Sequence, residues 1–171
     1  MRQFFYIFHC LITLVILSCS IIAVLVLLPN VVGVKCFIVL SNSMEPSMSA
    51  GSIVYINMHV KAEEIEIGDL IAFEMQENRI VHRVTSVDRK YKNFTTKGDA
   101  NKNEDLALVS YDDLLGRACG HIPHLGYFIA YIGTTKGLIL VFTLFVLWIT
   151  SGSLSKEKVT KGDMKYEKEN S

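Results

Sequence analysis

The sequence predicts a mainly β fold, a sheet domain held outside a membrane by flanking transmembrane α-helices. Three observations predict it. Apolar residues gather at the two ends of the 171-residue chain. The middle, residues 30–136, is polar and broken into short segments rich in β-branched and aromatic residues, with Gly, Asn, Asp and Ser between them. Strands spaced this way favour an all-β sheet over βαβ units. Finally, lysines follow the second apolar run. The middle is long enough for one compact core and too short for two. Seventeen basic and seventeen acidic residues cancel, so no basic excess points to nucleic acid.

Residues 4–28 carry no formal charge. As a helix, these roughly 25 residues span about 37 Å, enough to cross a ~30 Å hydrocarbon layer with some tilt. The competing reading is a cleaved signal peptide with Arg2 as its charged n-region. The run is about twice the usual apolar length for that, and no small-x-small site closes it. Ile16-Leu17-Ser18-Cys19 faintly resembles a lipoprotein cleavage site, but the residues after it stay apolar. Residues 1–29 are therefore read as a retained anchor.

A second uncharged run begins at Gly137 and, extended through 155, gives roughly 19 residues or ~28 Å of helix. A frame starting near Leu125 would put Lys136 close to mid-membrane at a cost of about 3 kcal/mol. Lys136 fits better at the entry, where its stem can snorkel. A helix lying on the membrane is the alternative. Lysine-rich flanks stay cytoplasmic. Arg2 before the first span and Lys156, Lys158, Lys161, Lys165 and Lys168 after the second therefore place both termini inside and residues 30–136 outside. Residues 156–171 mix these lysines with acids and read as a solvated, disordered tail.

Within the outer domain, residues 34–40, 52–58, 70–75, 79–87, 93–96 and 115–122 read as strands, and 60–67 and 112–115 as short helical turns. Cys36 and Cys119 lie where a disulfide is permitted, without a framework that requires one. Cys10 and Cys19 fall in the first span as inert apolar side chains.

Chemistry concentrates after the first strand, in Ser41-Asn42-Ser43-Met44-Glu45-Pro46. Most loop serines only cap or solvate, and Pro46 favours an extended backbone before it. For Ser43 to act as a nucleophile, the chain must supply a base. His82 is the candidate. Alternation in the strand 79–87 puts Ile80, His82 and Val84 on one face and Val81, Arg83 and Thr85 on the other. A lone histidine among apolar neighbours is usually structural. Its neutral imidazole is also the side chain suited to general-base work near neutral pH.

The acids Asp99, Glu104 and Asp105 sit in a loop rich in Gly and Asn. Dense oxygen ligands suggest calcium, but the EF-hand spacing is absent and an Asx-rich turn accounts for the composition. One of the carboxylates is also placed to orient His82. His121 and His124 flank Pro123, which breaks the helix that would align them on a metal, so no metal site is expected.

Taken together, these segments resemble the membrane-bound type I signal peptidases. Ser41–Pro46 is similar to the nucleophile box, usually Ser-Gly-Ser-Met-Glu-Pro. Gly68-Asp69-Leu70-Ile71-Ala72-Phe73 is similar to the strand box that follows it. Val81-His82-Arg83-Val84 resembles the base box, and Lys97-Gly98-Asp99 with Asp105 the acidic box. Gly116-Arg117-Ala118 and Ile122-Pro123 stand where the family closes its sheet. The matches run in the family's order. Histidine at the base position, where bacterial housekeeping enzymes carry lysine, is the archaeal and endoplasmic-reticulum type. The chain looks most like the W-type enzymes of spore-forming bacteria.

The resemblance implies Ser43 as nucleophile, His82 as general base and Asp105 as orienting acid. Asp99 is implied as loop support and is the second candidate for the acid. Ser41 matches the position whose hydroxyl helps bind the oxyanion. Asn42 replaces a glycine, and if that position needs positive φ, Asn tolerates it. The implied reaction is cleavage of N-terminal signal peptides from exported pre-proteins after small-x-small motifs, through an acyl-enzyme, with no metal or organic cofactor. The implied partners are those precursors, the lipid membrane and the secretion machinery, and the implied location is the plasma membrane. The rival readings are a non-catalytic anchored β-domain that binds exported chains, and a same-fold protease that cuts itself or pilins.

Overall fold

The computed structural model describes residues 2–169, with side chains for residues 6–152. The chain divides into two compact units. Val26–Ala130 forms one, and the two ends of the chain form the other.

The sheet unit holds seven antiparallel strands, β1 (Val34–Ile38), β2 (Ile53–Asn57), β3 (Leu70–Met75), β4 (Asn78–Asp88), β5 (Asn93–Lys97), β6 (Val109–Ser110) and β7 (Leu114–Ile122). They lie side by side in the order β1-β2-β7-β3-β4-β5-β6. The central strand β3 is apolar almost throughout, and its pleat divides it between two cores. Ile71 and Phe73 join Ile65, Val84, Phe94 and Val109 on one side. Ala72 joins Met44, Met48, Val54 and Ile56 on the other. Each large side chain so buried contributes roughly 1.5–3 kcal/mol relative to exposure. β4 is split in the same way, with Val84 in the first core and Val81 against the second. Asp69 accepts from Arg117 Nη1 at 3.3 Å and from Glu66 N at 3.0 Å, tying the entrance of β3 to β7.

Several expectations are corrected. β1 stops at Ile38, and residues 60–67 yield only the 3-10 turn Ala62–Glu64. β6 was not anticipated, because two residues carry no periodic signal. Among the described residues all four cysteines are free. β2 lies between the strands that carry Cys36 and Cys119. Two strand spacings of ~4.8 Å each exceed the ~7 Å limit for bridged Cα atoms.

The helical unit contains most of α1 (Arg2–Val31) and all of α3 (Thr135–Glu169). In each, one stretch is long and apolar enough to cross a membrane, Tyr6–Val31 and Thr135–Gly152. Their packing carries polar links: His9 Nδ1 lies 3.0 Å from Ser151 Oγ, and Trp148 Nε1 donates to Thr13 Oγ1 at 3.0 Å. A short helix, α2 (Leu125–Ile132), precedes α3, and the helix is interrupted between them by a turn at Gly133 and Thr134. Lys136 is thus the second residue of α3. The tail expected to be disordered continues α3 as helix through Glu169. Lys and Glu are good helix formers, and Glu157 stands at i, i+4 to Lys161. The tail's side chains, and residues 170–171 altogether, lie outside the described residues.

Candidate active site

The nucleophile loop is built from turns. Glu45 N donates to the Asn42 carbonyl at 3.1 Å and Met48 N to the Met44 carbonyl at 2.9 Å. The extended course expected before Pro46 is not taken, because proline restricts only the residue before it and the chain has already turned at Asn42. The turns drive Met44 and Met48, each at most 2% exposed, into the second core. This pins the loop from beneath while Ser43 stays partly exposed. Asn42 is not among the residues with positive φ. Its side chain instead accepts from Ala50 N at 3.0 Å and closes the loop, so the glycine-like role does not apply.

β4 presents His82 to this loop. Ser43 Oγ lies 3.1 Å from His82 Nε2, and His82 Nδ1 lies 2.6 Å from Asp105 Oδ2. His82 is 8% exposed, and its ring and that of Phe73 meet in a T-shaped contact with centroids 6.3 Å apart. The same Asp105 oxygen accepts from Thr96 Oγ1 at 2.7 Å, and Asp105 N donates to the Thr96 carbonyl at 2.8 Å. Thr96, fully buried on β5, holds the acid at both backbone and side chain. Sequence reading missed it. The only available signal was the inward phase of Thr96 beside Phe94 in β5.

Asp99 does not reach the imidazole. It takes a fork from Arg83, with Nε at 2.8 Å and Nη2 at 2.6 Å. That hydrogen-bonded guanidinium holds the Asp99 carboxyl below its ordinary value and raises the Arg83 pKa in return. Arg83 also donates to the Gly68 carbonyl at 2.8 Å. The clamp fixes the loop that meets the nucleophile: Ala100 N donates to the Ser43 carbonyl at 2.9 Å. A Cβ at Gly98 would lie 2.6 Å from that same oxygen.

Ser41 Oγ lies 3.1 Å from Ser43 Oγ. Beside them opens a cleft of ≈ 630 Å³, whose lining includes Phe37, Val39, Val54, Val81 and His82. Among the described residues no His, Cys, Asp or Glu side chains cluster as a metal would need. Of the three acids weighed as calcium ligands, Asp99, Glu104 and Asp105, Asp99 is engaged with Arg83 and Asp105 with His82 and Thr96.

A serine, a histidine and an acid in hydrogen-bonded line, on a sheet with apolar helices at both ends of the chain, have close relatives. The family model "Signal peptidase, peptidase S26" matches residues 12–99. The chain belongs to that family. It is 33% identical over 132 residues to the signal peptidase complex catalytic subunit SEC11 of Ogataea parapolymorpha, covering 64% of this chain and 73% of that protein. It is 32% identical over 101 residues to the putative signal peptidase complex catalytic subunit SEC11B of Homo sapiens, covering 52% and 60%. With the signal peptidase complex catalytic subunit sec11 of Dictyostelium discoideum it shares 33% over 101 residues, 52% of this chain and 55% of that protein. The protein is thus a signal peptidase of the endoplasmic-reticulum and archaeal type, a membrane-associated serine peptidase. The family match ends at Asp99, so Asp105 enters the site through geometry.

Proposed function

We propose that Ser43, His82 and Asp105 form the catalytic set that cuts signal peptides from membrane-tethered precursors. The observation that carries this is the unbroken line from Ser43 Oγ through the imidazole to Asp105, with bonds of 3.1 and 2.6 Å. Asp105 accepts a hydrogen bond from Nδ1–H, which keeps that proton on the ring and leaves Nε2 free to accept from serine. Ser43 Oγ attacks the scissile carbonyl as its proton passes to Nε2. The imidazolium then protonates the leaving amine, which departs as the new N-terminus and leaves an acyl-enzyme. Water, deprotonated by His82, hydrolyses the ester and restores Ser43. The Ser41 hydroxyl, beside the reacting oxygen, and the Ser43 backbone N–H are the donors for the oxyanion.

The substrate adds as a strand. Among the described residues β1 pairs only with β2, and β4 takes its β5 partner only from Arg83 onward. Both β1 and the first half of β4 therefore leave an edge unpaired beside the cleft. The strand order makes them parallel to each other, so one extended peptide can bond to both. The residues before the cut then lie along the cleft, and alternate side chains meet Val39 and Val81. Small residues at alternate positions suit that apolar channel.

In this reading residues 30–136 are the extracytoplasmic catalytic domain, residues 1–29 and 137–155 cross the plasma membrane, and the tail 156–171 is cytoplasmic. The test is cleavage of a signal-peptide-bearing precursor by purified protein, beside Ser43→Ala and His82→Ala. Loss of cleavage in both variants is expected. Undiminished cleavage by Ser43→Ala overturns the mechanism, and no cleavage by the parent protein turns the reading toward a binding module.

A further inference from the structure

The two strand edges that flank the cleft are joined at one point, away from the catalytic serine. On β1 the side chains of Phe37 and Val39 share a face, the ladder running on to Val39 because its N–H donates to the Ser52 carbonyl at 2.9 Å. On β4 Arg79 and Val81 share a face in the same way. Phe37, Val39 and Val81 all pack against the second core, so this common face is the floor of the cleft. The Arg79 guanidinium carbon lies 5.2 Å from the centre of the Phe37 ring. Because the two strands are parallel, Val39 then stands opposite Val81, one step nearer the nucleophile. The floor thus has an open apolar rung, Val39 with Val81, and a bridged one, Phe37 with Arg79.

The bridge is carried by a rigid support. β4 starts from the tight turn Gln76-Glu77, both residues with left-handed backbone at φ 49° and 64°, and Met75 pairs with Asn78 across it. Arg79 follows directly in the ladder, opposite Glu74 of β3. Arg83 and Arg117 hold the carboxylates of Asp99 and Asp69. Among the described residues Arg79 forms no ion pair, and its guanidinium is spent on the ring of the opposite edge. One such contact shifts an equilibrium by about two- to fivefold. That closes the floor at this point and still lets a strongly held substrate displace the guanidinium.

We infer that the Arg79–Phe37 bridge is a bar across the cleft floor that selects small residues at the fifth position before the cut. The inference rests on the reading that the substrate adds as a strand between β1 and β4. Side chains of a strand return to one face every second residue, about 6.6 Å apart. With the first and third residues before the cut meeting Val39 and Val81, the next residue on that face is the fifth. It arrives where the guanidinium lies. A methyl group passes over the bar, whereas a long side chain lifts the guanidinium from the ring or leaves the plane of the sheet. Arg79 is therefore a specificity-determining residue that acts by size. Charge does not decide, because Glu74 and Glu77 line the same end of the cleft and offset the arginine.

The test is competition between two precursors in one reaction with full-length protein. It returns a ratio of kcat/KM values that does not depend on how much enzyme is folded. Precursors carrying Ala or Leu at the fifth position are expected to be cut by the parent in a ratio of about five to one. Arg79→Ala and Phe37→Leu are each expected to bring that ratio within about twofold of unity. In Arg79→Ala the preference for Ala over Leu at the first position should keep its parental value.

A parent that cuts the two fifth-position precursors equally overturns the inference, and so does a parental ratio in Arg79→Ala. Equal shifts at the first and fifth positions mark a general loosening of the cleft and also overturn it. If Arg79→Ala instead abolishes a preference between Glu and Gln at the fifth position and leaves Ala against Leu unmoved, Arg79 reads charge and the bar is wrong. The strand reading has its own control. N-methylation of the third residue's amide in a synthetic precursor removes a strand hydrogen bond and is expected to slow the parent about tenfold. Unslowed cleavage overturns the strand reading and the bar with it, whereas slowed cleavage with an unmoved Arg79→Ala ratio overturns the bar alone.

Discussion

Neighbouring residues of β4, His82 and Arg83, point to opposite faces of the strand, and each is met by an acid from the loop that follows β5. Asp105 meets the imidazole and Asp99 the guanidinium. The two pairs look alike as contacts, each with a bond of 2.6 Å, yet they do different work. Arginine is always charged and cannot exchange a proton at working pH, so its pair is a fixed clamp. Histidine changes protonation state near neutrality, so its pair directs a proton. The comparison teaches that a carboxylate's role here is set by which face of β4 it reaches. The loop serves both faces because one end is clamped and the other is held by Thr96.

The strongest way to break the comparison is at the histidine. His82→Ala is expected to lower kcat on a precursor by about 10⁴-fold or more while leaving thermal stability near that of the parent. Asp105→Asn should cost about 10⁴-fold, because an amide in its place no longer stabilises the imidazolium or fixes the tautomer. If Asp105→Asn retained parental kcat and Asp99→Asn lost it, the roles assigned to the two acids would be reversed.

Asp99→Asn is expected to act mainly on stability. Losing a charge-assisted fork on a partly exposed arginine removes about 1–2 kcal/mol, with kcat/KM lower by about tenfold because the Ser43 loop loosens. The pH dependence has a definite sign. The Asp99 carboxyl is held below its ordinary value by Arg83. Its stabilisation is therefore complete above the unfolded-chain value of about 3.9 and is lost as pH falls through the lower folded value. Between pH 5 and pH 3, Tm of the parent should fall more steeply than Tm of Asp99→Asn. Parallel curves would show that the clamp contributes nothing in acid.

The sheet and the two faces of β4 were legible in the sequence, because strand alternation is a local signal and residues 79–87 display it cleanly. The nucleophile loop was legible as chemistry and misread as shape. Pro46 suggested an extended path, whereas the turns depend on Met44 and Met48 finding a core made by β2 and β3. Thr96 was invisible for a similar reason. Its part depends on a loop returning from beyond β5, and nothing in Asn93–Lys97 announces which acid will return. The choice between Asp99 and Asp105 was open for the residues alone and came from family resemblance, since both carboxylates lie in the same loop and only the fold separates them.

Thr96→Val sharpens the comparison on the histidine side. It keeps the shape on β5 and removes one donor from Asp105, leaving the His82 bond in place. The expected loss in kcat is about 3- to 10-fold, smaller than Asp105→Asn, with Tm changed by little. A loss equal to that of Asp105→Asn would mean that Thr96, more than the imidazole, fixes the acid.

The smallest effect is expected at Asn42. A glycine-like conformation there would make Asn42→Gly stabilising, since glycine relieves strain at positive φ. The observed backbone is not in that region, and the Asn42 side chain accepts from Ala50 N. Asn42→Gly should therefore destabilise by about 1 kcal/mol through the lost hydrogen bond and the greater freedom of the unfolded chain. Because Met44 and Met48 still anchor the loop and His82 still meets Ser43, kcat should stay within about threefold of the parent. A rise in Tm on Asn42→Gly would show that the loop is strained at this residue. A fall in kcat approaching that of Thr96→Val would show that the Asn42 to Ala50 bond, in addition to the buried methionines, sets the position of the nucleophile.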